Sequence, residues 1–285
     1  MSAAELELAA QREANTSAIA HYDAFREHRE RLTACASRVA PRGGAGRLCV
    51  LGAGNCYDLD LEVLAHCYRE VHLVDVDDAA LDRAWERQPA TTRERLFRHA
   101  PVDVSGTIDR LDRWKRGEVT PEELMEHAEH TSRALVERLG APFDATLSAC
   151  LLTQIQLAAL NVLGDSHALF EAVRFTLALT HLRALARLTV PGGSAVLATD
   201  LSSSRIFPLK ALFKSARRQN LLDQLIDAGR VFHVANPRWL TAMAAQDPVL
   251  RRQLSWGAPD EPWLWQNGPS ELFLVYTLEL RRSGG

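Results

Sequence analysis

The sequence predicts an α/β protein built on a parallel sheet, and three observations carry that reading. Short apolar runs alternate with stretches of helical periodicity, the first run closes on a glycine turn, and a Pro-Gly-Gly turn precedes a late apolar strand. The unit that begins at Arg47 sets the pattern. The apolar run 47–51 ends at Gly52 and Gly54, the helical spacing DLDLEVLAHCYRE follows with Asp58 placed to cap it, and EVHLVDVD at 70–77 is a second buried strand. Strand, helix and strand in that order make a βαβ unit, which implies parallel pairing with a right-handed crossover.

The other elements follow in order. Residues 4–38 read as helix, since apolar residues recur among charges and no proline interrupts them, and PRGGAG at 41–46 ends it. Beyond the βαβ unit come a helix (DDAALDRAWERQ), a weak third strand near 97–104 and a long polar helical stretch over 106–139. That stretch exceeds what a crossover needs and is expected to be an insertion. FDATLSACLL at 143–152 is a fourth strand, 154–188 is helical, and Pro191-Gly192-Gly193 turns into a fifth strand, SAVLATDL. A second insertion, with an amphipathic helix, is expected near 201–235. A helix over Pro237 to Gln246 and a strand at 271–282 complete the chain.

Composition excludes several classes of function. With 33 basic and 36 acidic residues among 285, the formal charge is -3, which gives no phosphate-facing excess for nucleic acid. The amino-terminal stretch is acidic and broken by charges, and no apolar run approaches the ~20 residues that span a bilayer. A cytoplasmic location without membrane contact is expected. The five cysteines are scattered, with no CxxC pair, and read as reduced, mostly buried thiols.

The turn LGAGNCYD, Leu51 to Asp58, is the sharpest feature. In an open α/β sheet the ligand crevice lies beyond the carboxyl ends of the strands, so a nucleotide-like ligand is expected at Gly52, Ala53 and Gly54. A dinucleotide fingerprint requires glycine where Tyr57 stands, and a tyrosine crowds the approach of a pyrophosphate; NAD and FAD are therefore demoted. An adenosine group without phosphates suits the turn better. Asp75, at the end of the second strand, can accept bonds from both ribose hydroxyls, Asp103 can accept from the adenine amino group, and Val76 and Val104 supply apolar walls.

In these features the chain resembles the class I S-adenosylmethionine-dependent methyltransferases. The matching residues are VLGAGN, VDVD, the third-strand VDV, FDATLSACLL and LTVPGGSAVLATD, spanning roughly residues 45–200 plus the final strand. The resemblance implies a Rossmann-like seven-stranded sheet, mostly parallel with an antiparallel last strand, helices on both faces, and an amino-terminal helical cap over 1–40 preceding a methyltransferase domain over 41–285. It implies S-adenosyl-L-methionine as cofactor and places Ser148, Ala149 and Cys150 beside the transferred methyl. Cys56 stands where the common GxGxG form has its third glycine, while Asn55 and Asp58 are candidates to bind the cofactor's amino group; Asp58 serves equally as a helix cap. Tyr22 and Phe25 on the amino-terminal helix are candidates to close over the cofactor, or simply pack on the sheet.

Methyl transfer needs a base only when the accepting group is protonated. The candidates are His233, His181, His167 and Asp200, each with a structural alternative as a buried histidine or a cap. The fourth strand lacks the Asn/Asp-Pro-Pro-Tyr signature of methyltransferases acting on nucleobase or glutamine amides, which favours a small-molecule acceptor. His127 and His130, near Glu123 and Glu126, have helical spacing that suits a metal, but a solvated helix face explains them and no metal is expected. Trp239, Trp256, Trp263 and Trp265 read as core and strand edge or as an aromatic pocket, and Lys210, Lys214, Arg217 and Arg218 as a solvated basic face. Two other classes stay open: a non-catalytic partner protein on the cofactor fold, and an NAD-dependent oxidoreductase.

Overall fold

The computed structural model describes residues 2–215, 220–268 and 271–284. Arg217 and Arg218 of the basic face, and the Lys214 side chain, lie outside the described residues.

The strands are β1 (Arg47–Leu51), β2 (Glu70–Val74), β3 (Leu96–His99), β4 (Phe143–Ala149), β5 (Thr189–Ser203), β6 (Leu254–Trp256), β7 (Trp263–Gln266) and β8 (Leu272–Arg282), and the apolar runs of β1, β2 and β4 are buried almost throughout. Their order is β3-β2-β1-β4-β5-β8-β6, with β7 also paired to β8. The first five strands are parallel and β8 runs antiparallel to β5. This is the Rossmann-like sheet that the resemblance implies, with one correction. Eight strands replace the expected seven, because the edge beside β8 comes in two pieces, Leu254 pairing with Arg282 and Trp263 with Val275. The Pro191-Gly192-Gly193 turn lies inside β5 as a bulge, where the partner of Phe143 is Thr189 and that of Ala145 is Ser194.

The long amino-terminal helix divides into α1 (Ala3–Ala18), a 3₁₀ segment (Ile19–Phe25) and α2 (Arg26–Arg38). Next come α3 (Leu61–Cys67), α4 (Asp78–Glu86), α5 (Ala90–Arg93), α6 (Leu111–Lys115), α7 (Pro121–Leu139), α8 (Leu151–Leu163) and α9 (Phe170–Leu188). The segment expected as a second insertion holds α10 (Leu209–Ser215), α11 (Leu221–Asp227) and a 3₁₀ turn at His233–Ala235, followed by α12 (Pro237–Gln246) and α13 (Pro248–Gln253). Among the described residues no helix is long and apolar enough to cross a membrane.

Two cores cover the two faces of the sheet. On one, α9 is buried along most of its length and meets Ala128, Leu135 and Leu139 of α7, so residues 106–139 include a helix that packs in the core. The polar side of α7 is fastened as well: Glu129 accepts from Arg187 at 2.6 Å and from Arg183 at 3.2 Å, and Arg183 forms a buried pair with Asp247 at 2.5 Å. On the other face α2, α3 and α4 pack over Val50, Leu73 and Leu147. Trp263 and Trp265 belong to this second core. The Trp263 indole N–H donates to His28 Nδ1 at 3.0 Å, and the His28 ring stacks on Trp265 at 4.5 Å, joining β7 to α2.

Candidate functional site

The glycine turn leaves β1 in a conformation that few side chains permit. Gly52 (φ 74°) and Gly54 (φ 47°) are left-handed; a Cβ on Gly52 would sit 2.9 Å from Leu151 Cβ, and one on Gly54 3.1 Å from Asn15 Oδ1. Cys56, at the third-glycine position, adopts φ 49° with its thiol buried, so the backbone keeps the form a glycine would give while the side chain fills the core. The main-chain N–H groups of Gly52 and Ala53 both donate to Val74 O, which holds the turn against the end of β2.

Asp75 stands at that end. Its Oδ2 accepts from Gly54 N at 2.7 Å and its Oδ1 from Asp77 N at 2.9 Å. Burial pushes the carboxyl up and these two N–H bonds pull it down, the burial being the larger influence. Asp75, Val76, Asp103 and Val104 line one cleft together with Gly52, Leu151 and Gln154. Asp103 is partly committed already: its Oδ1 accepts from Ser105 N and Oγ, and its Oδ2 from Ile108 N at 2.9 Å. Both oxygens of Asp75 and the Oδ2 of Asp103 accept a single bond each and keep a second lone pair, so both residues retain acceptor capacity toward the cleft.

Helix α1 covers this cleft, and the sequence reading missed its contribution. Glu7 and Gln11 line the cavity, whose volume is about 70 Å³. Asn15 Nδ2 donates to Asp77 Oδ2 at 2.9 Å, while Asn55 Nδ2 donates to Asn15 O at 2.6 Å. Asn55 Oδ1 accepts from Arg83 at 2.9 Å, so this amide fastens α1 and α4 to the turn. Ser2 caps α1 in a reciprocal capping box with Glu5, a signal visible in the sequence.

Tyr22 and Phe25 lie elsewhere. Phe25 is core, edge-on to Trp265 at 5.3 Å. Tyr22 is 40% exposed and lines a second cleft on the far side of the turn, with Arg29 at 4.1 Å and Arg87 at 5.1 Å from its ring centre. The cap of α3 is Asp60, which accepts from Glu62 N and Val63 N, and not Asp58. Asp58 is instead a half-buried carboxyl pushed up to about 7, chiefly by its partial removal from water.

At the carboxyl ends of β4 and β5 a polar cluster forms. Cys150 adopts φ 50°, and its thiol is held well above the ordinary range by burial, with Asp200 and Asp58 as the neighbouring carboxylates. Asp200 Oδ2 accepts from Thr153 Oγ1 at 2.9 Å, whereas the buried Oδ1 has no hydrogen-bond partner among the described residues; burial pushes this carboxyl up to about 6. Asp200, Cys150 and Asp58 thus come together, with Ala149 packed in the adjoining core. Ser148 points the other way. Its hydroxyl meets His181 Nε2 at 2.8 Å inside the protein, and His181, 1% exposed, is held at about 4 by burial. That places both on the α9 side of the sheet, away from the crevice.

The other two histidines have different surroundings. His167 accepts from Leu169 N at Nδ1, so Nε2 carries the proton and donates to Lys115 O at 3.0 Å, tying α6 to the start of α9. His233 is exposed and packs against Trp239 at 5.0 Å, near Arg174. His127 is no surface residue; it is buried against Trp114 and bonded to Ser105 O at 2.9 Å. Among the described residues no group of three or more His, Cys, Asp or Glu is placed to hold a metal ion.

The sequence matches no family model and no curated protein. Solved structures align with it at low identity. The N-methyltransferase NodS from Bradyrhizobium japonicum is 15% identical, over 90% of this chain and 96% of that one, with a TM-score of 0.40. The glycopeptide N-methyltransferase MtfA, complexed with S-adenosyl-L-homocysteine, is 13% identical over 89% of each chain (TM-score 0.44). An O-methyltransferase family protein from Burkholderia thailandensis is 12% identical over 93% of this chain and 59% of that one (TM-score 0.48). These are likenesses of shape, and the fold assignment rests on the strand order itself.

Proposed function

We propose that the protein is an S-adenosyl-L-methionine-dependent methyltransferase that methylates an O or N atom of a small molecule. The observation that carries this reading is the convergence of the Gly52–Gly54 turn, the Asp75 carboxylate and the apolar walls Val76 and Val104 on one cleft. Those groups suit an adenosine. Asp75 would accept from the ribose hydroxyls, the two valines would flank the adenine, and the side-chain-free glycines would admit the methionine end close to the backbone.

The cavity of about 70 Å³ is far below the roughly 300 Å³ or more that a ligand of this size needs, so α1 has to move for entry. Once back in place, Glu7, Gln11 and Asn15 shield the reaction from water. The cofactor supplies a methyl already made electrophilic by its sulfonium. The chain's own tasks are then to orient the acceptor and, for a hydroxyl or ammonium acceptor, to take its proton. Asp200 is the group we assign to that proton. Its Oδ1 has no hydrogen-bond partner among the described residues and its basicity lies near neutral, while His181 and His167 are committed within the protein.

Calorimetry with S-adenosylhomocysteine tests the reading. Binding in the micromolar range is expected, and absence of binding at millimolar ligand would sink it.

A further inference from the structure

The second cleft, behind the glycine turn, has a chemistry of its own. Its volume is about 470 Å³, within the range of small-molecule sites, and it shares no lining residue with the cofactor cleft. Tyr22 and Tyr57 meet edge to face at 5.2 Å, and the Arg87 guanidinium lies 4.4 Å from the Tyr57 ring centre and 5.1 Å from that of Tyr22. Arg29 also lies over the Tyr22 ring, at 4.1 Å from its centre, and lines the same cleft.

Neither guanidinium forms an ion pair among the described residues. Arg29 Nη1 donates to Tyr57 O at 2.7 Å and to Tyr22 O at 3.4 Å, and Arg87 Nη2 donates to Cys56 O at 3.4 Å. A guanidinium has five N–H donors in a planar fork that matches a carboxylate, so most of this donor capacity remains uncommitted. Two carboxylates also line the cleft. Asp60 is engaged by the first N–H groups of α3 and Glu62 stands in that helix's first turn; among the described residues neither pairs with an arginine. Asp58 lies close enough to feel both arginines but is itself driven toward its neutral form.

We propose that this cleft binds a small aromatic carboxylate, the carboxylate bridging Arg29 and Arg87 and the ring resting on Tyr22 and Tyr57. Charge-assisted bidentate bonds supply the attraction, and the tyrosine rings select an aromatic over an inorganic anion. Because both arginines are anchored to carbonyls of residues 56 and 57, the occupant sits directly on the reverse side of the turn that forms the cofactor cleft. The assignment stands independently of the methyltransferase reading.

The test titrates 4-hydroxybenzoate, 4-hydroxybenzamide and inorganic phosphate into the protein by ligand-observed NMR, using wild type, Arg87→Met and Gln88→Glu. Arg87→Met keeps a side chain against Tyr57 without the charge, and Gln88→Glu adds a like charge to the cleft wall; circular dichroism checks that each is folded. The expected result is at least tenfold weaker binding of 4-hydroxybenzoate in both variants, at least tenfold weaker binding of the amide and of phosphate to wild type, and unchanged affinity for S-adenosylhomocysteine. Undiminished binding in a folded variant, equal binding of phosphate or amide, or displacement of 4-hydroxybenzoate by S-adenosylhomocysteine would each overturn the proposal. Failure of S-adenosylhomocysteine to bind at all would count against the methyltransferase reading alone.

Discussion

Gly54 donates its main-chain N–H to Asp75 Oδ2 across 2.7 Å, so the carboxylate expected to hold a ribose also fastens the turn that shapes its cleft. One residue serves both the ligand and its seat. Asp75→Ala should therefore weaken S-adenosylhomocysteine binding by about 10- to 100-fold, the equivalent of roughly 1.5–3 kcal/mol for hydrogen bonds to a charged group. Calorimetry on the variant measures it, and unchanged affinity would show that the ligand binds elsewhere.

Asn15 is the point at which α1 is fixed over the cleft, through Asp77 and Asn55. Asn15→Ala removes the side-chain bond and leaves a buried carboxylate oxygen less satisfied. Opening of α1 should become more frequent, with trypsin cleavage at Arg12 accelerating severalfold. A cleavage rate equal to wild type would mean that other contacts hold the helix.

Asp200 links stability to pH. Its folded basicity, about 6, lies above its ordinary value of 3.8, so its contribution to stability is fully present below about pH 4 and is lost as pH rises through about 6. Asp200→Asn stays neutral throughout. The variant should gain stability over wild type between about pH 4 and pH 8, by roughly 2–3 kcal/mol from a shift of about two units, while losing methyl transfer. Urea unfolding at the two pH values measures the first effect; a pH-independent difference would show that Asp200 does not titrate in this window.

His181 has the opposite sign. Burial holds it near 4, below 6.5, so its contribution is present above about pH 6.5 and disappears as pH falls toward 4. His181→Gln should gain stability relative to wild type over that descent. Denaturation curves at pH 7 and pH 4.5 test this, and parallel behaviour of the two proteins would show that His181 stays neutral in both states.

Much of the cleft was legible because its parts obey local rules. Gly52 and Gly54 mark left-handed backbone, and Asp75 follows a buried strand by its sequence spacing alone. What failed depended on facts that local pattern does not carry. Asp58 and Asp60 both precede the same helix, and only its register decides that Asp60 caps it. Ser148 and Ala149 are neighbours in sequence but point to opposite faces of the sheet, so one meets His181 and the other the opposite core. His167 looked available until the tertiary fold supplied partners to both of its nitrogens. The cover over the cleft comes from Glu7 and Gln11, polar residues that carry no signature of a binding site, while Tyr22, an aromatic that suggested one, lines the second cleft.

The pairing of β5 with β8, from Ser194 opposite Arg281 to Ser203 opposite Phe273, joins segments some seventy or more residues apart. During synthesis β5 and its buried apolar row emerge long before their partner. Until β8 arrives, that row is an open sheet edge able to pair with another nascent copy. Yield of soluble protein should consequently depend on translation pace and chaperone supply across residues 204–271, a stretch that supplies no lining residue to the cleft at Gly52 and Asp75.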